Sequence, residues 1–480
     1  MPRADYPSSL LRLENSYGKK TLFHSLMSTE ILESSIKLAA RVAKQKPSIW
    51  VEINKAVAKY KPINLGQGFP DSLPRAHVLT SLREVSAPDT NPLLHQYTRS
   101  MGHPRLVNVL SRLYTPFIQC DPSRYASAGS LTENTFAPTR HVDALNEVIV
   151  SVGAYGALSA AISSLIDHGD EVIIMDPSFD CYAPMTRFAG GVPVFVPLKP
   201  ASVTVANDEL TADAWKLDPV QLESKITAKT KMIILNTPHN PLGKVFDLDE
   251  LKFIADVCCR YNLVCVSDEV YEWLVFPPKK HIKIASLPGM WNRTLTIGSA
   301  GKTFSVTGWK LGWTVGPANL IHGMQMHQQN TVYTCPTPIQ EATAKSLEIE
   351  LPLLIKSDSY FEEMRRTIEP KGRRMVRRLT EIGMPAIRPT GGYFLFADVS
   401  RIPVPKGALD AIGDQSVPYD LKFNLWMMQN KGVSGIPMSV FYSEENQHLG
   451  SNYLRLCFFK EDATLEKAYK LLENCDFLRN

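Results

Sequence analysis

The chain has 480 residues, 44% apolar and 21% charged, too long for one simple core, so two domains are expected in a globular protein of ordinary composition. Lys and Arg number 52 against 48 Asp and Glu, a net charge of +4 that argues against nucleic acid or an anionic membrane as main partner. No apolar run is long enough to cross a bilayer, and the 8 cysteines form no C-x-x-C pair and no zinc-like spacing with histidine, so no metal site is expected.

Residues 1–47 carry Arg3, Arg12, Lys19 and Lys20 among serines, a faint transit-peptide composition that Asp5 and Glu14 oppose. They read as a flexible tail, with Met27 as an alternative start. Scattered cysteines such as Cys265, set in apolar strands, suit reduced thiols, so cytoplasmic placement is expected with mitochondrial as the alternative. Residues 48–69 are expected to pack with a C-terminal unit.

From residue 147 short β-branched runs alternate with helical stretches. Strands are predicted over 147–151, 171–175, 192–196, 231–236, 263–267 and 294–299, and helices over 154–165, 248–261 and 320–347. Such alternation points to a mainly parallel α/β sheet wrapped by helices, and the apolar strands indicate that both faces are covered. A charged helix over 357–381 then leads to a smaller α+β unit. Its strands are predicted over 392–399, 435–436 and 453–459, and its closing helix over 465–473. The polar, aperiodic segments 120–141 and 201–213 read as surface loops.

Ligands of open α/β sheets gather beyond the carboxyl ends of the strands, and five stretches fall there. Val152-Gly153-Ala154-Tyr155 opens a helix with small residues, suited either to an anion or to tight packing. Asp176-Pro177-Ser178-Phe179 offers an aromatic ring for stacking or for the core. Asn236-Thr237-Pro238-His239-Asn240 holds two amides around a proline-fixed turn. Asp268, directly after a buried strand, needs a cationic partner or serves as a helix cap, and Tyr271 follows it. Lys302 projects from Ser299-Ala300-Gly301-Lys302-Thr303, with Lys310 eight positions on. Glycine there permits close backbone approach, and a partly desolvated amine is a nucleophile.

In order, and over nearly the whole chain from Trp50, these stretches resemble the class I/II pyridoxal-phosphate aminotransferases of fold type I, and among them the kynurenine aminotransferases (glutamine transaminase K). The motifs that carry it are Asn64-Leu65-Gly66-Gln67-Gly68-Phe69-Pro70-Asp71, Gln96-Tyr97-Thr98-Arg99, Asn236 to Lys244, Ser267-Asp268-Glu269-Val270-Tyr271, Ser299 to Phe304 and Asn452-Tyr453-Leu454-Arg455.

The resemblance implies a large domain (96–350) with a mainly parallel seven-stranded sheet, and a small α+β domain from residues 48–95 and 351–480. It also implies a homodimer and pyridoxal 5'-phosphate held as an imine on Lys302. Asp268 would pair with the ring nitrogen, Tyr271 and Asn240 with the ring oxygen, and Phe179 would stack on the ring. Ala154, Tyr155, Ser299 and Lys310 would hold the phosphate, joined by Tyr97 from a second subunit. Gly68, Asn240 and Arg455 would take the substrate carboxylate, with Trp50 and Tyr333 beside its side chain.

The implied reaction moves the α-amino group of kynurenine, or of another aromatic, sulfur-bearing or glutamine donor, to an α-keto acid. A cysteine-conjugate β-lyase on the same lysine is the alternative. Two departures from the family pattern bear on specificity: Ser178 stands where a second phenylalanine is common, and Thr334 where some relatives carry histidine. A regulator with a winged-helix unit is disfavoured, because the segment before Trp50 is too short and the charge too even.

Overall fold

The computed structural model describes residues 37–43, 45, 48–118, 140–201, 210–354 and 356–473. Most of residues 1–47 and of the predicted loop 120–141 therefore lie outside the described residues.

The large sheet has seven strands: β1 (Val148–Ser151), β2 (Glu171–Asp176), β3 (Val192–Pro197), β4 (Thr230–Asn236), β5 (Val264–Asp268), β6 (Thr294–Ser299) and β7 (Gly312–Val315). Their spatial order is β1-β7-β6-β5-β4-β2-β3. The neighbours from β6 through β3 pair in parallel, and β7 runs antiparallel between β1 and β6. Val148, Ile149, Val150, Ile173, Ile233 and Val266 are all fully buried, the outcome expected for β-branched strands covered on both faces. The six predicted strands form within a residue or so of their expected ends.

Three expectations are sharpened. The seventh strand that the resemblance implies is β7, whose four residues beginning with glycine carry too short a pattern to place it from the sequence. The helix predicted over 320–347 is two helices, Ala318–Thr331 and Thr337–Glu350. Pro336 and Pro338 deny the intervening turn its helical bonds, and Tyr333 there adopts a φ of 68°. Residues 202–209 of the predicted loop 201–213 lie outside the described residues, and its end is tied down: Thr211 bridges Arg388, while Lys199–Pro200 and Trp215–Lys216 pair at its base.

In the C-terminal unit Phe394–Asp398 pairs antiparallel with Tyr453–Cys457, flanked by Ala386–Ile387 and Ile436–Pro437. Ile63–Asn64 adds in parallel to Val433–Ser434, so the segment 48–69 does pack on this unit. A charged-group clasp joins it to the large sheet: the Asp176 carboxylate at the end of β2 accepts from Ser443 N, Ser443 Oγ and Asn446 Nδ2 at 3.0, 2.5 and 3.0 Å. The C-terminal unit thus closes over the carboxyl ends of β2, β4, β5 and β6. Among the described residues no helix is long and apolar enough to cross a membrane.

Candidate active site

At the end of β6 the chain turns into a short helix, Ala300–Thr303, that carries Lys302. Gly301 is needed there, because a Cβ on it would stand 3.0 Å from Thr307 Cα. Lys302 Nζ donates to the Tyr393 hydroxyl at 2.7 Å and to the Gly68 carbonyl at 3.0 Å. Burial lowers its pKa from 10.5 to about 8, with Arg455 and Lys310 pushing the same way against Cys457 and Asp268.

Asp268 ends β5, one strand over, and is only 3% exposed. Its Oδ2 accepts from the Tyr182 hydroxyl at 2.7 Å. Burial pushes the carboxyl up to about 6, against the Tyr182 bond and the charge of Lys302. Tyr271 lies behind it, its ring centroid 5.6 Å from Lys302 Nζ.

The end of β1 feeds the helix Gly153–Leu165, whose first N–H groups have no partner within the helix. Gly153 sits at φ +66°, and a Cβ on Gly312 would come 2.6 Å from the Gly153 carbonyl carbon. Glycine at both positions lets β7 press against the helix start. Lys310 follows on a left-handed residue (φ 51°), its Nζ 5.4 Å from the Tyr155 ring centroid. Partial positive charge from the helix end and a full charge from Lys310 thus meet beside buried Ser299. Phe179 stands edge-on to Tyr155 and Tyr182, with centroids at 5.6 and 6.0 Å.

Arg455, from strand Tyr453–Cys457, is fully buried. Its Nη1 donates to Asn240 Oδ1 at 2.7 Å and its Nη2 to Gly66 O at 2.8 Å, while Nε has no partner. The rings of Phe394, Phe441 and Trp50 surround the guanidinium at 3.9, 4.7 and 5.6 Å, and burial lowers its pKa to about 10. Asn236 braces the set: its Oδ1 accepts from Asn240 N at 2.7 Å and its Nδ2 donates to Asp268 O at 2.9 Å. Ser178, the departure noted in the sequence, donates its N–H to Phe441 O at 2.7 Å.

Lys302, Asp268, Tyr271, Asn240, Arg455, Gly68, Trp50, Phe179, Ala154, Tyr155, Ser299 and Lys310 line one cavity of about 470 Å³. Two expected residues do not join it. Tyr97 and Tyr333 lie outside on the surface, 83% and 54% exposed, their rings edge-to-face at 5.5 Å. Four residues near the site escaped the sequence reading: Tyr182, Tyr393, Asn236 as a brace, and Asp180. Asp180 accepts from Ser48, the cap of the helix that carries Trp50, at 3.3 Å. A buried cluster of Glu269, Glu272 and His281 stands close enough to hold a cation, and Lys283 is that cation.

The family model of aminotransferase class I and II matches residues 60–472. Kynurenine–oxoglutarate transaminase 3 of Homo sapiens is 44% identical over 95% of this chain and 96% of its own length. Kynurenine–oxoglutarate transaminase 1 of Homo sapiens is 43% identical over 87% and 93%. Among solved structures, Bna3p of Saccharomyces cerevisiae, a candidate kynurenine aminotransferase, superposes with a TM-score of 0.79 at 32% identity, covering 91% of this chain and 99% of its own. An aspartate aminotransferase variant of Thermus thermophilus gives 0.72 at 26% identity, over 91% and 99%.

Proposed function

The chain belongs to the class I and II aminotransferase family, and from that premise we propose that it transfers the α-amino group of kynurenine, or of a related aromatic, sulfur-bearing or glutamine donor, to an α-keto acid. The family implies pyridoxal 5'-phosphate, and the cavity fits that group. It offers a buried carboxylate without a cation, an amine of lowered basicity, a helix N-terminus faced by a lysine, and a ring (Phe179) on one wall.

When bound, the cofactor supplies a sink for the electrons released at the amino acid's α-carbon. Asp268, the buried carboxylate of the cavity, would pair with the cofactor's ring nitrogen and keep that nitrogen protonated. Arg455 occupies Asn240 Oδ1, which leaves the amide's Nδ2 as the donor that, with Tyr271, would bind the ring oxygen. The first N–H groups of the helix, at Ala154 and Tyr155, would bind the phosphate with Ser299 and Lys310. Arg455 keeps Nε free for a carboxylate in a dry, aromatic-walled pocket, and Gly68 gives the backbone room beside it. Lys302, deprotonated more readily than an exposed lysine, takes the proton from the substrate α-carbon and holds it on Nζ.

Trp50, Phe394 and Tyr155 wall the cavity with flat apolar surface, and Phe441 packs behind the Arg455 guanidinium, which supports aromatic and long apolar donors. Tyr97 and Tyr333, exposed and paired with each other, are the side chains through which a homodimer would complete each site. Light scattering in solution tests that arrangement, and a monomeric active enzyme would remove it. Cytoplasmic placement rests on the scattered cysteines read as reduced thiols and on the reading of residues 1–47, and import of that segment into isolated mitochondria would reverse it.

The observation that carries the reading is the convergence of Lys302, Asp268, Lys310 and Arg455 on one cavity. A panel of amino donors crossed with several keto acids tests it. Kynurenine, phenylalanine, methionine or glutamine should yield the matching keto acid with stoichiometric amination of the acceptor. Pyruvate and ammonia from a cysteine conjugate, with no amination of an acceptor, would identify a β-lyase instead.

A further inference from the structure

Tyr393 has no part in the roles assigned above, yet it touches the reacting amine. It is fully buried at the entry to strand Phe394–Asp398, directly after Gly392, whose φ of +69° turns the chain toward the cavity. Its hydroxyl lies 2.8 Å from the Gly68 carbonyl and 2.7 Å from Lys302 Nζ, and Nζ lies 3.0 Å from the same carbonyl. A carbonyl only accepts, and a phenol has one proton. Tyr393 donates that proton to Gly68 O, which leaves the lone pairs of its oxygen to the amine and to the neighbouring Tyr271 hydroxyl. Lys302 therefore points two N–H bonds at two acceptors and offers its lone pair to neither.

Resting on the reading of Lys302 as the proton carrier, we propose that Tyr393 and the Gly68 carbonyl form the dock on which Lys302 holds the proton it has taken from the substrate. Two acceptors favour the ammonium over the free amine, so the dock keeps the proton on Nζ between abstraction and delivery. The other groups that act on Nζ are divided. Arg455 and Lys310 favour the free base, while Asp268 and Cys457 favour the ammonium. The Tyr271 ring centroid lies 5.6 Å from Nζ, and the Tyr271 hydroxyl is itself a hydrogen-bond neighbour of Tyr393. Burial holds the Tyr393 phenol well above its ordinary pKa, so it stays neutral and serves as an acceptor rather than as a base. The dock also draws on three separate parts of the chain: Gly68 from the N-terminal segment, Lys302 from the large sheet and Tyr393 from the C-terminal unit. It exists only while those three are assembled.

The test uses full-length Tyr393→Phe, which removes the hydroxyl and keeps the ring. In the reconstituted enzyme, kcat should fall about 10- to 100-fold, as for loss of a hydrogen bond to a charged group. KM for the amino donor and cofactor retention should stay within about 3-fold, and the α-deuterium isotope effect on kcat should rise as proton transfer becomes slower. A second readout does not depend on turnover. In the cofactor-free chain, the pH midpoint for labelling of Lys302 by trinitrobenzenesulfonate, followed by peptide mass spectrometry, should drop by about one unit. An unchanged midpoint with unchanged kcat would overturn the dock. Should the phenylalanine variant not fold, 3-fluorotyrosine at position 393 keeps the shape and weakens the acceptor, and the same drop or its absence decides. A Lys302→Ala enzyme that still transaminates would instead overturn the role of Lys302, so the two failures are distinct.

Discussion

Asp268 and Glu269 are consecutive carboxylates at the end of one buried strand, and they meet opposite environments. Asp268 faces the cavity with a tyrosine hydroxyl and one long bond from Val270 N at 3.4 Å, and burial lifts its pKa to about 6. Glu269 faces away and accepts from Ser267 Oγ at 2.8 Å, His281 Nε2 at 2.7 Å and Lys283 Nζ at 2.8 Å. Burial works to raise it too, but Lys283 and His281 outweigh that and hold it at about 2. The network closes on itself: Lys283 also donates to Glu272 at 2.5 Å, Tyr114 to Glu272 at 2.6 Å, and Trp313 to Tyr114 at 2.8 Å. Burial therefore does not decide the state of a carboxylate; the presence of a cation does. The closed network is scaffold, and the carboxylate left without a cation marks where a ligand brings one.

Two lysines allow that contrast to be broken from either side. Lys302→Met is expected to lower transamination on the order of 10⁴-fold in a steady-state assay, since it removes the proton carrier. The same change should stabilise the cofactor-free chain by about 1–2 kcal/mol in a urea melt, discounted for the opening to solvent. The sign follows from the depressed pKa. An ammonium that titrates near 8 when folded and near 10.5 when unfolded opposes folding at every pH below about 8. The gain should be full there and vanish above about 10.5. Lys283→Met should instead destabilise by about 3–5 kcal/mol, because it leaves two buried carboxylates without their cation. A loss of stability in both variants would erase the distinction between cavity and scaffold. Arg455→Ala comes next in size: KM for both amino and keto acid should rise about 10- to 100-fold, and unchanged constants would remove the carboxylate clamp.

What the sequence made legible divides along the same line. The six predicted strands are read from their β-branched runs, most plainly in β1, β2 and β5, where burial leaves a nearly unbroken apolar signature. Lys302, Asp268 and Asn240 stand at strand ends, where open sheets present ligands, so local context marks them. Tyr182, Tyr393 and Lys283 gain their meaning from partners 86, 91 and 14 residues away in the chain, a relation that no local pattern encodes. Nor does the pair Asp268-Glu269 say which side chain faces the cavity. Alternation along a strand sends neighbours to opposite faces, but only the register of β5 beside β4 and β6 settles which is which. β7 is invisible for a related reason: its place in the sheet is set by pairing with β1 and β6 rather than by its own four residues.

The smallest effect gives the sharpest comparison of the two carboxylates. In the cofactor-free chain Asp268 titrates near 6, so its carboxylate is lost as pH falls below that value. A protonated acid cannot pair with the cofactor's ring cation, and affinity should then fall by up to about tenfold per pH unit. The phosphate of the cofactor has its own ionisation near pH ~6, so the measured quantity is the difference between wild type and Asp268→Asn in a fluorescence titration of cofactor rebinding. Wild type should bind more tightly above about pH 6, and the gap to Asp268→Asn should narrow below it. Glu269, held anionic down to about 2 by its own cations, has nothing to titrate in that range. Glu269→Gln should therefore leave the difference curve's midpoint where it was, even if the protein is less stable. A midpoint that moved with Glu269 and not with Asp268 would mean that the two carboxylates share one field, and that the open and closed sides of the strand are not independent.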